Sequence, residues 1–437
     1  MTTISSFGGL QTTLRGLLAH QRMLDVTSHN ISNADTEGYT RQTAVATAAP
    51  TLVAGVTTTG GTNMLGQGVD ITAYNRVRDN YLDVSARTQN MLLGDRATTA
   101  TALSRADTAI GEPSDDGLNE KLNNLWTSFG SLASASQSSG AKVGVISAAK
   151  AVTDQLSQLD ANLSQIQSDA ATEYSQLTAA NGDVANYTKQ LATLNDQIGN
   201  ATAAGQQPND MLDQRDLILN KLSTLGQVSV TNNGNGKITV KFGDAAQPLV
   251  DGSTPTSTTN WPQTLTNPGG QLGALINTQA QIGTYRAALD NVASQLASTV
   301  NGVYGTTPPF FTGNTASTLT VAATATTLKA GTGTAAESND IATALSQFQN
   351  GTAQTSYQNL VVQVGADSKN ATAQQQLSIS LVNDVTSRQQ SVSGVSLDEE
   401  MTNLITFQRG YQASARAMST MDEMLDQLIN RTGKVGL

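Results

Sequence analysis

The chain has 437 residues, a net charge of −10, no cysteine and only 13% charged side chains, about half the usual share. Disulfides, thiol catalysis and thiolate metal sites are thereby excluded, and the lack of any Lys/Arg cluster argues against a nucleic-acid surface. No apolar run approaches the length of a membrane span, and the start of the chain lacks the basic-then-apolar order of a secretory signal, so neither membrane insertion nor signal cleavage is expected.

The first predicted element is a helix with a largely apolar stripe at Leu10, Leu14, Leu17, Gln21, Leu24, Ser28 and Ile31. These alternating steps of four and three make a heptad seam, one helix face laid along a partner. Thr27 falls on the face away from that seam. The helix is expected to stop near Asn33, where Asn33, Asp35 and Gly38 favour turn dihedrals, and Tyr39 to Gln42 reads as extended chain. Residues 43–73 are rich in Thr, Ala and Gly and read as extended chain with short strands. Helical spacing returns at Val77, Tyr81, Val84, Thr88 and Met91, with a stop expected at Gly111-Glu112-Pro113. Ser114, Asp115 and Asp116 are candidate caps for a helix whose face is Leu118, Leu122, Leu125, Phe129 and Leu132.

The longest helical pattern runs from about Val145 to Ile198, a rod of roughly 80 Å at 1.5 Å per residue if unbroken, with Gly182 its weak point. Pro208-Asn209-Asp210 opens a shorter helix to Leu225. The period then changes to two. Val228 and Val230, the turn Asn232 to Gly236, and Ile238, Val240 and Phe242 spell a β-hairpin. Residues 253–268 read as loop. Ile282 to Val300 resumes helical spacing, Pro308-Pro309 ends it, and residues 312–335 are weakly β. Asn339-Asp340 can start a short helix, and a long one follows from Tyr357 through Val385 towards Gly394. The last helix has a second seam: Leu397, Met401, Leu404, Phe407, Tyr411, Ser414, Met418, Met421, Leu425 and Leu428. One repeated step of three is a stammer. Ser396 with Glu399 forms a capping box at its start, and Gly433 marks its end.

The fold class read from this is mainly α with a small β insertion. The terminal helices, 1–45 and 394–437, pair as a coiled coil. An elongated helical rod takes in 46–225 and 270–393, and a β-hairpin insertion takes in 226–269, joined by 303–335. The seam residues of both ends are expected to be an assembly surface, because long apolar stripes on terminal segments with few flanking charges need neighbours.

Little in the sequence carries catalysis. His20 and His29, the only histidines, lie nine residues apart on the first seam helix and read as polar flank residues, not as members of a triad. Asp115-Asp116 and Asp398-Glu399-Glu400 precede helices, where negative charge is stabilising by itself. Gly234-Asn235-Gly236 lacks the following Lys of a phosphate loop. Met401, Met418, Met421 and Met424 read as packing residues. No cofactor or metal is expected, and the chain does not read as an enzyme.

Leu24 to Gln42, with Ser28-His29-Asn30, Asn33, Gly38 and Tyr39-Thr40-Arg41-Gln42, resembles the N-terminal signature of bacterial flagellar axial proteins. Within them it is most similar to the hook-associated protein 1 family. The C-terminal run through Phe407-Gln408-Arg409-Gly410-Tyr411-Gln412-Ala413 resembles that family's C-terminal signature. Pro208 to Asp216 and Gly270 to Leu275 also look familial. The resemblance implies a structural junction between hook and filament, built as a helical tier of copies. It implies hook protein and a second junction protein, hook-associated protein 3, as neighbours. It further implies type III export to the cell exterior, with an export chaperone on the C-terminal helix. It also implies an inner coiled coil, a helical rod and outer β domains, the last expected to be reduced here to one small insertion. Two other readings are a paralogous hook or rod protein and a secreted surface-binding protein. Tyr39 to Gln42 speaks against the first. The scarcity of aromatic clusters in the β part speaks against the second.

Overall fold

A computed structural model describes residues 6–50, 52–56, 62–253, 258–333 and 338–427. Among them the architecture is mainly α with four small antiparallel sheets. The chain leaves on helix α1 (Ser6–Ser32) and returns on α10 (Leu397–Asp426), which pack against each other. Between them lies a helical body.

A β-ribbon of β1 (Gln42–Ala48) and β4 (Val69–Arg76) joins α1 to the body, in a register from Gln42 opposite Arg76 to Ala48 opposite Val69. A bulge at Val45/Ala46 interrupts it. The ribbon packs on α1, and a domain boundary at residue 45 would cut through β1, so that expected boundary is corrected. Strands β2 (Leu52–Val56) and β3 (Thr62–Leu65) form a second, separate ribbon.

Two cores fill the body. The larger gathers α2 (Asn80–Ile110), α3 (Leu118–Ser134), α4 (Ser139–Thr178), α7 (Gly270–Tyr304), α8 (Asp340–Ser346) and α9 (Thr352–Ser393) around Phe129, Leu156, Tyr285, Leu289, Phe310 and Tyr357. The smaller packs α5 (Asp183–Ala203) and α6 (Asn209–Leu225) on a four-stranded sheet: β5 (Val228–Asn232), β6 (Ile238–Phe242), β7 (Val250–Asp251) and β8 (Thr258–Thr259). The hairpin forms where the period-two pattern places it, with Gly234, Asn235 and Gly236 at positive φ. The stretch expected as loop adds β8 to this sheet.

Three local expectations are corrected. The 145–198 pattern is two helices, and the single 80 Å rod does not exist: α4 ends at Thr178 and α5 begins after Gly182, where a Cβ would overlap the Gln176 carbonyl. Helix α3 is capped by Gly117 and not by Ser114, Asp115 or Asp116. The Glu112 carboxylate substitutes, accepting from Asn119 N at 3.1 Å and from the Tyr357 hydroxyl at 3.1 Å. Several small sheets replace the one β insertion, among them β9 (Phe311–Thr312) with β10 (Thr320–Val321).

Around that last sheet lies a tandem repeat. Thr315-Ala316-Ser317-Thr318-Leu319 and Thr324-Ala325-Thr326-Thr327-Leu328 repeat the same turn. In each, the first Thr carbonyl accepts from the Leu N–H, at 2.9 and 2.8 Å, and the fourth residue's hydroxyl accepts from the first Thr N–H. Leu319 and Leu328 are both buried in the larger core.

Candidate functional site: the terminal helix pair and its elbow

Helices α1 and α10 run antiparallel. Gly9 faces Met421, Gly16 faces Ser414, and Gly410 sits against the His20 ring. Nearer the body, Met23, Val26 and Thr27 share a cavity of about 160 Å³ with Asn403, Phe407 and Glu400. On α1 the line of closest approach therefore lies one residue N-terminal to the expected seam. Small residues, Gly9 and Gly16, let the backbones come together there, so the larger leucines flank the contact.

The seam residues divide accordingly. Leu10, Leu17, Leu24 and Ile31 on α1 are half-buried, as are Leu404, Phe407, Tyr411, Met418, Met421 and Leu425 on α10. Leu14, Leu397 and Met401 are exposed, contrary to their expected packing between the two ends of one chain. Leu428 and Gly433 lie outside the described residues. Thr27, expected on the outer face, is 3% exposed, because the ribbon and α10 close over that side of α1.

The signature turn forms an elbow between the pair and the body. Asn30, 1% exposed, donates from Nδ2 to the Gln42 carbonyl (2.9 Å) and accepts on Oδ1 from the Gln42 N–H (3.0 Å) and the Tyr39 hydroxyl (2.7 Å). A carboxamide carries a donor and an acceptor side by side, as a peptide does, so Asn30 pairs with the strand as a neighbouring strand would. Asn33 donates to the His29 carbonyl, and Gly38 takes φ +80°, in the left-handed region. Those two residues end α1 and turn the chain.

From the elbow, contacts reach three distant elements. Arg41 lies between Glu399 (2.9 Å) and the buried Glu400 (2.8 Å) at the start of α10, while its backbone N–H donates to Ser393 of α9. Gln42 donates to Asp210 (2.9 Å) and accepts from Asn209 (3.0 Å), at the start of α6. Thr40 N–H donates to Asp213 (3.0 Å). Below them, Arg76 holds Asp213 and Asp216, both at 2.8 Å, and Arg78 bridges Asp216 (2.5 Å) and Asp83 (2.7 Å). Burial pushes the Asp213 carboxyl up against the opposing pull of Arg76 and Thr40. Burial and the nearby Asp210, Asp213 and Glu400 raise Tyr39 far above its ordinary value, so it stays a hydrogen-bond donor. For Arg78, burial opposes the charge, yet Asp216 and Asp83 outweigh it and raise the guanidinium's pKa.

The acidic triplet at the start of α10 thus does more than complement a helix terminus: Glu399 and Glu400 clamp Arg41. His29, read as a flank residue, contacts Asp210 at 3.2 Å. Asp210, Asp213 and Asp216 sit inside the run singled out in the sequence, at spacings of three that place them on one helix face. That spacing was the available signal for their role. Arg76 and Arg78 carried none.

Paired terminal helices are thus locked by an elbow to a helical body. Models of the flagella basal body rod protein and of the flagellar basal body rod FlgEFG protein C-terminal match residues 10–40 and 388–431, the two halves of this pair. The model of the flagellar hook-associated protein FlgK helical domain matches residues 103–269. Flagellar hook-associated protein 1 of Bacillus subtilis is 30% identical over 99% of each chain. The proteins of that name from Salmonella typhimurium and Escherichia coli are each 30% identical over 55% of this chain and 42% of their own length. A solved structure, the flagellar hook junction protein FlgK from Burkholderia pseudomallei, aligns with a TM-score of 0.44 at 27% identity, over 52% of this chain and 44% of that one. The chain belongs to the flagellar hook-associated protein 1 family, structural proteins of the bacterial flagellum.

Proposed function

We propose that this chain forms the structural junction between flagellar hook and filament, assembling as a short helical tier of copies. The observation that carries the reading is the contrast within the terminal pair. It is anchored to the body by the Asn30, Arg41 and Gln42 contacts, yet it leaves Leu14, Leu397 and Met401 uncovered. Head-to-tail contacts that do not close generate helical assemblies, and a rigid anchor transmits one subunit's position to the next. The seam residues form the assembly surface. The terminal pair with its β1/β4 ribbon faces the axis, the helical body lies outside it, and the small sheets lie at the periphery.

Hook protein occupies one side of the tier and the second junction protein, hook-associated protein 3, the other. The chain reaches the cell exterior through the flagellar export apparatus. Before export, a chaperone covers the apolar C-terminal helix, whose Leu404, Phe407, Met418, Met421 and Leu425 would otherwise self-associate. The role is mechanical and uses no cofactor.

Electron microscopy of flagella from a strain lacking the chain tests this. Hooks kept with filaments lost is the expected result. Filaments still attached, or hooks absent, would reject a junction role. Chaperone binding that survives truncation after Gly394 would reject the chaperone assignment.

A further inference from the structure

At the end of the body far from the elbow, an open groove of about 360 Å³ runs over the junction of α3 and α8. Helix α9 measures its distance from the elbow. Gln389 of α9 meets Asp83 beside the elbow, and Gln354, about 50 Å away along the same helix, meets Asn119 and Asn123 of α3.

The groove exists because most of its walls are small. Trp126, Gly130 and Ser134 recur at steps of four along α3, with Ser131 beside them, and Ser346 and Gln349 come from the end of α8 and the turn after it. At Gly130 the two helices nearly touch: an added Cβ would lie 3.7 Å from the Ser346 side chain. Among the described residues that line the groove, none is charged.

Its polar groups divide by sense. The Ser131, Ser134 and Ser346 hydroxyls donate to carbonyls of their own helices, at 3.2, 3.2 and 2.7 Å, and so offer the groove only acceptor capacity. The exposed Gln349 carboxamide can both give and take. Trp126 is 3% exposed, and its indole N–H has no hydrogen-bond partner. A buried donor of this kind is rare in folded proteins and asks for a reason. Phe129 stacks on the ring and Phe348 tilts against it, at centroid distances of 6.4 and 6.2 Å, and the core behind it is apolar. An acceptor for this N–H therefore has to come from the groove.

From these facts we infer that the groove binds a neutral saccharide. A sugar carries hydroxyls that both give and take, set around apolar C–H faces. One of its oxygens accepts from Trp126, and its hydroxyls donate to the serines. A charged ligand would find no counter-charge here, and a purely apolar one would leave the indole N–H and the carboxamide unmet. The volume falls within the range of about 300–1,000 Å³ typical of small-molecule sites. The groove is open on one side, so binding is weak and rapidly reversible. It gives the outer end of the body a binding activity that does not depend on the junction role.

The chain has two tryptophans, so Trp261→Phe leaves Trp126 as the sole indole. In full-length, isotope-labelled protein carrying that substitution, titration with chitotriose, a neutral trisaccharide, is expected to move the remaining indole N–H resonance saturably, with half-saturation in the millimolar range. A galacturonic acid trimer, similar in size but anionic, is expected to leave it in place. Ser131→Phe puts a ring into the groove and should weaken chitotriose binding about tenfold. Gln349→Ala removes one exposed hydrogen-bonding group and should weaken it about threefold, with the melting transition unchanged. An indole resonance that stays still at tens of millimolar chitotriose would overturn the inference. So would equal movement by both trimers, or full affinity in both groove variants. Should Ser131→Phe fail to fold, Gln349→Ala decides. The deletion strain tests the junction role separately.

Discussion

The body and the terminal pair of this molecule are held together by different physics. In the body, Leu118, Leu122, Leu125, Leu156, Tyr285 and Val292 are completely or almost completely buried, and the rings of Trp126, Phe129, Tyr304, Phe310 and Phe348 interlock within a core built by six helices. On α1 and α10 among the residues with described side chains, the buried ones are Ala19, Thr27, Asn30 and Glu400: small or polar, and three of the four at the elbow end. The body is a self-sufficient core. The pair is a half-buried interface held at one end by hydrogen bonds and ion pairs, and it leaves Leu14, Leu397 and Met401 exposed. Helical content alone would not separate the two.

Each part should fail to its own kind of substitution. Phe129→Ala removes a fully buried ring and should lower the stability of the body by about 3–5 kcal/mol, read as a drop in the main melting transition. Arg41→Met leaves Glu400 buried without its partner, a loss of about 3 kcal/mol or more. That loss should fall on the elbow, so hydrogen exchange in α1 and α10 rises while the main melt stays in place. A large fall in the main melt would show that the pair and the body are one cooperative unit. Asn30→Ala removes three hydrogen bonds and leaves the Gln42 peptide unsatisfied, at about 1–3 kcal/mol, with the same regional signature.

Leu17→Asp and Leu425→Asp should abolish filament attachment and leave the main melt unchanged. Thr27→Asp, which buries a carboxylate against the ribbon and α10, should now be as harmful. Normal swimming by Thr27→Asp would mean that this side of α1 is open in the assembled state.

The smallest effect concerns Asp340. Hydrogen bonds from the Thr332 hydroxyl, the Thr332 N–H and Ser338 hold its carboxyl down at about 2, from an ordinary 3.8. A depressed carboxylate adds stability above its unfolded value that is lost as pH falls through the folded one. Acid titration should therefore weaken the hold of Asp340 on Thr332 and Ser338 between about pH 4 and 2, and Asp340→Asn should abolish that step. An unchanged titration would remove Asp340 from the account.

What sequence made legible was whatever is local. The Ser396 cap on the Glu399 N–H, the stop at Gly111 and the β5–β6 hairpin each depend on residues a few positions apart. The elbow was not legible in the same way. Arg41 and Glu400 lie 359 residues apart, and nothing local about a solvated-looking acidic triplet announces a buried partner. The turn residues could be recognised as a signature without any statement of what they touch. The α1 seam misled by one residue, because apolar periodicity marks the large side chains and the tightest contact was made by Gly9 and Gly16. The α4–α5 break was hidden because the heptad spacing continues through residues 179–182.

Asn30 has two counterparts. Asn195 on α5 gives and takes a hydrogen bond with the Ile238 peptide at 2.9 and 2.8 Å, and Asn301 on α7 does the same with Phe311 at 2.8 and 2.9 Å. At each site one carboxamide fastens extended chain to a helix, and the donating half of each fastening is a single nitrogen atom. Hydrolysis of that amide would change the side chain's volume very little while turning a donor into a second acceptor aimed at a carbonyl oxygen.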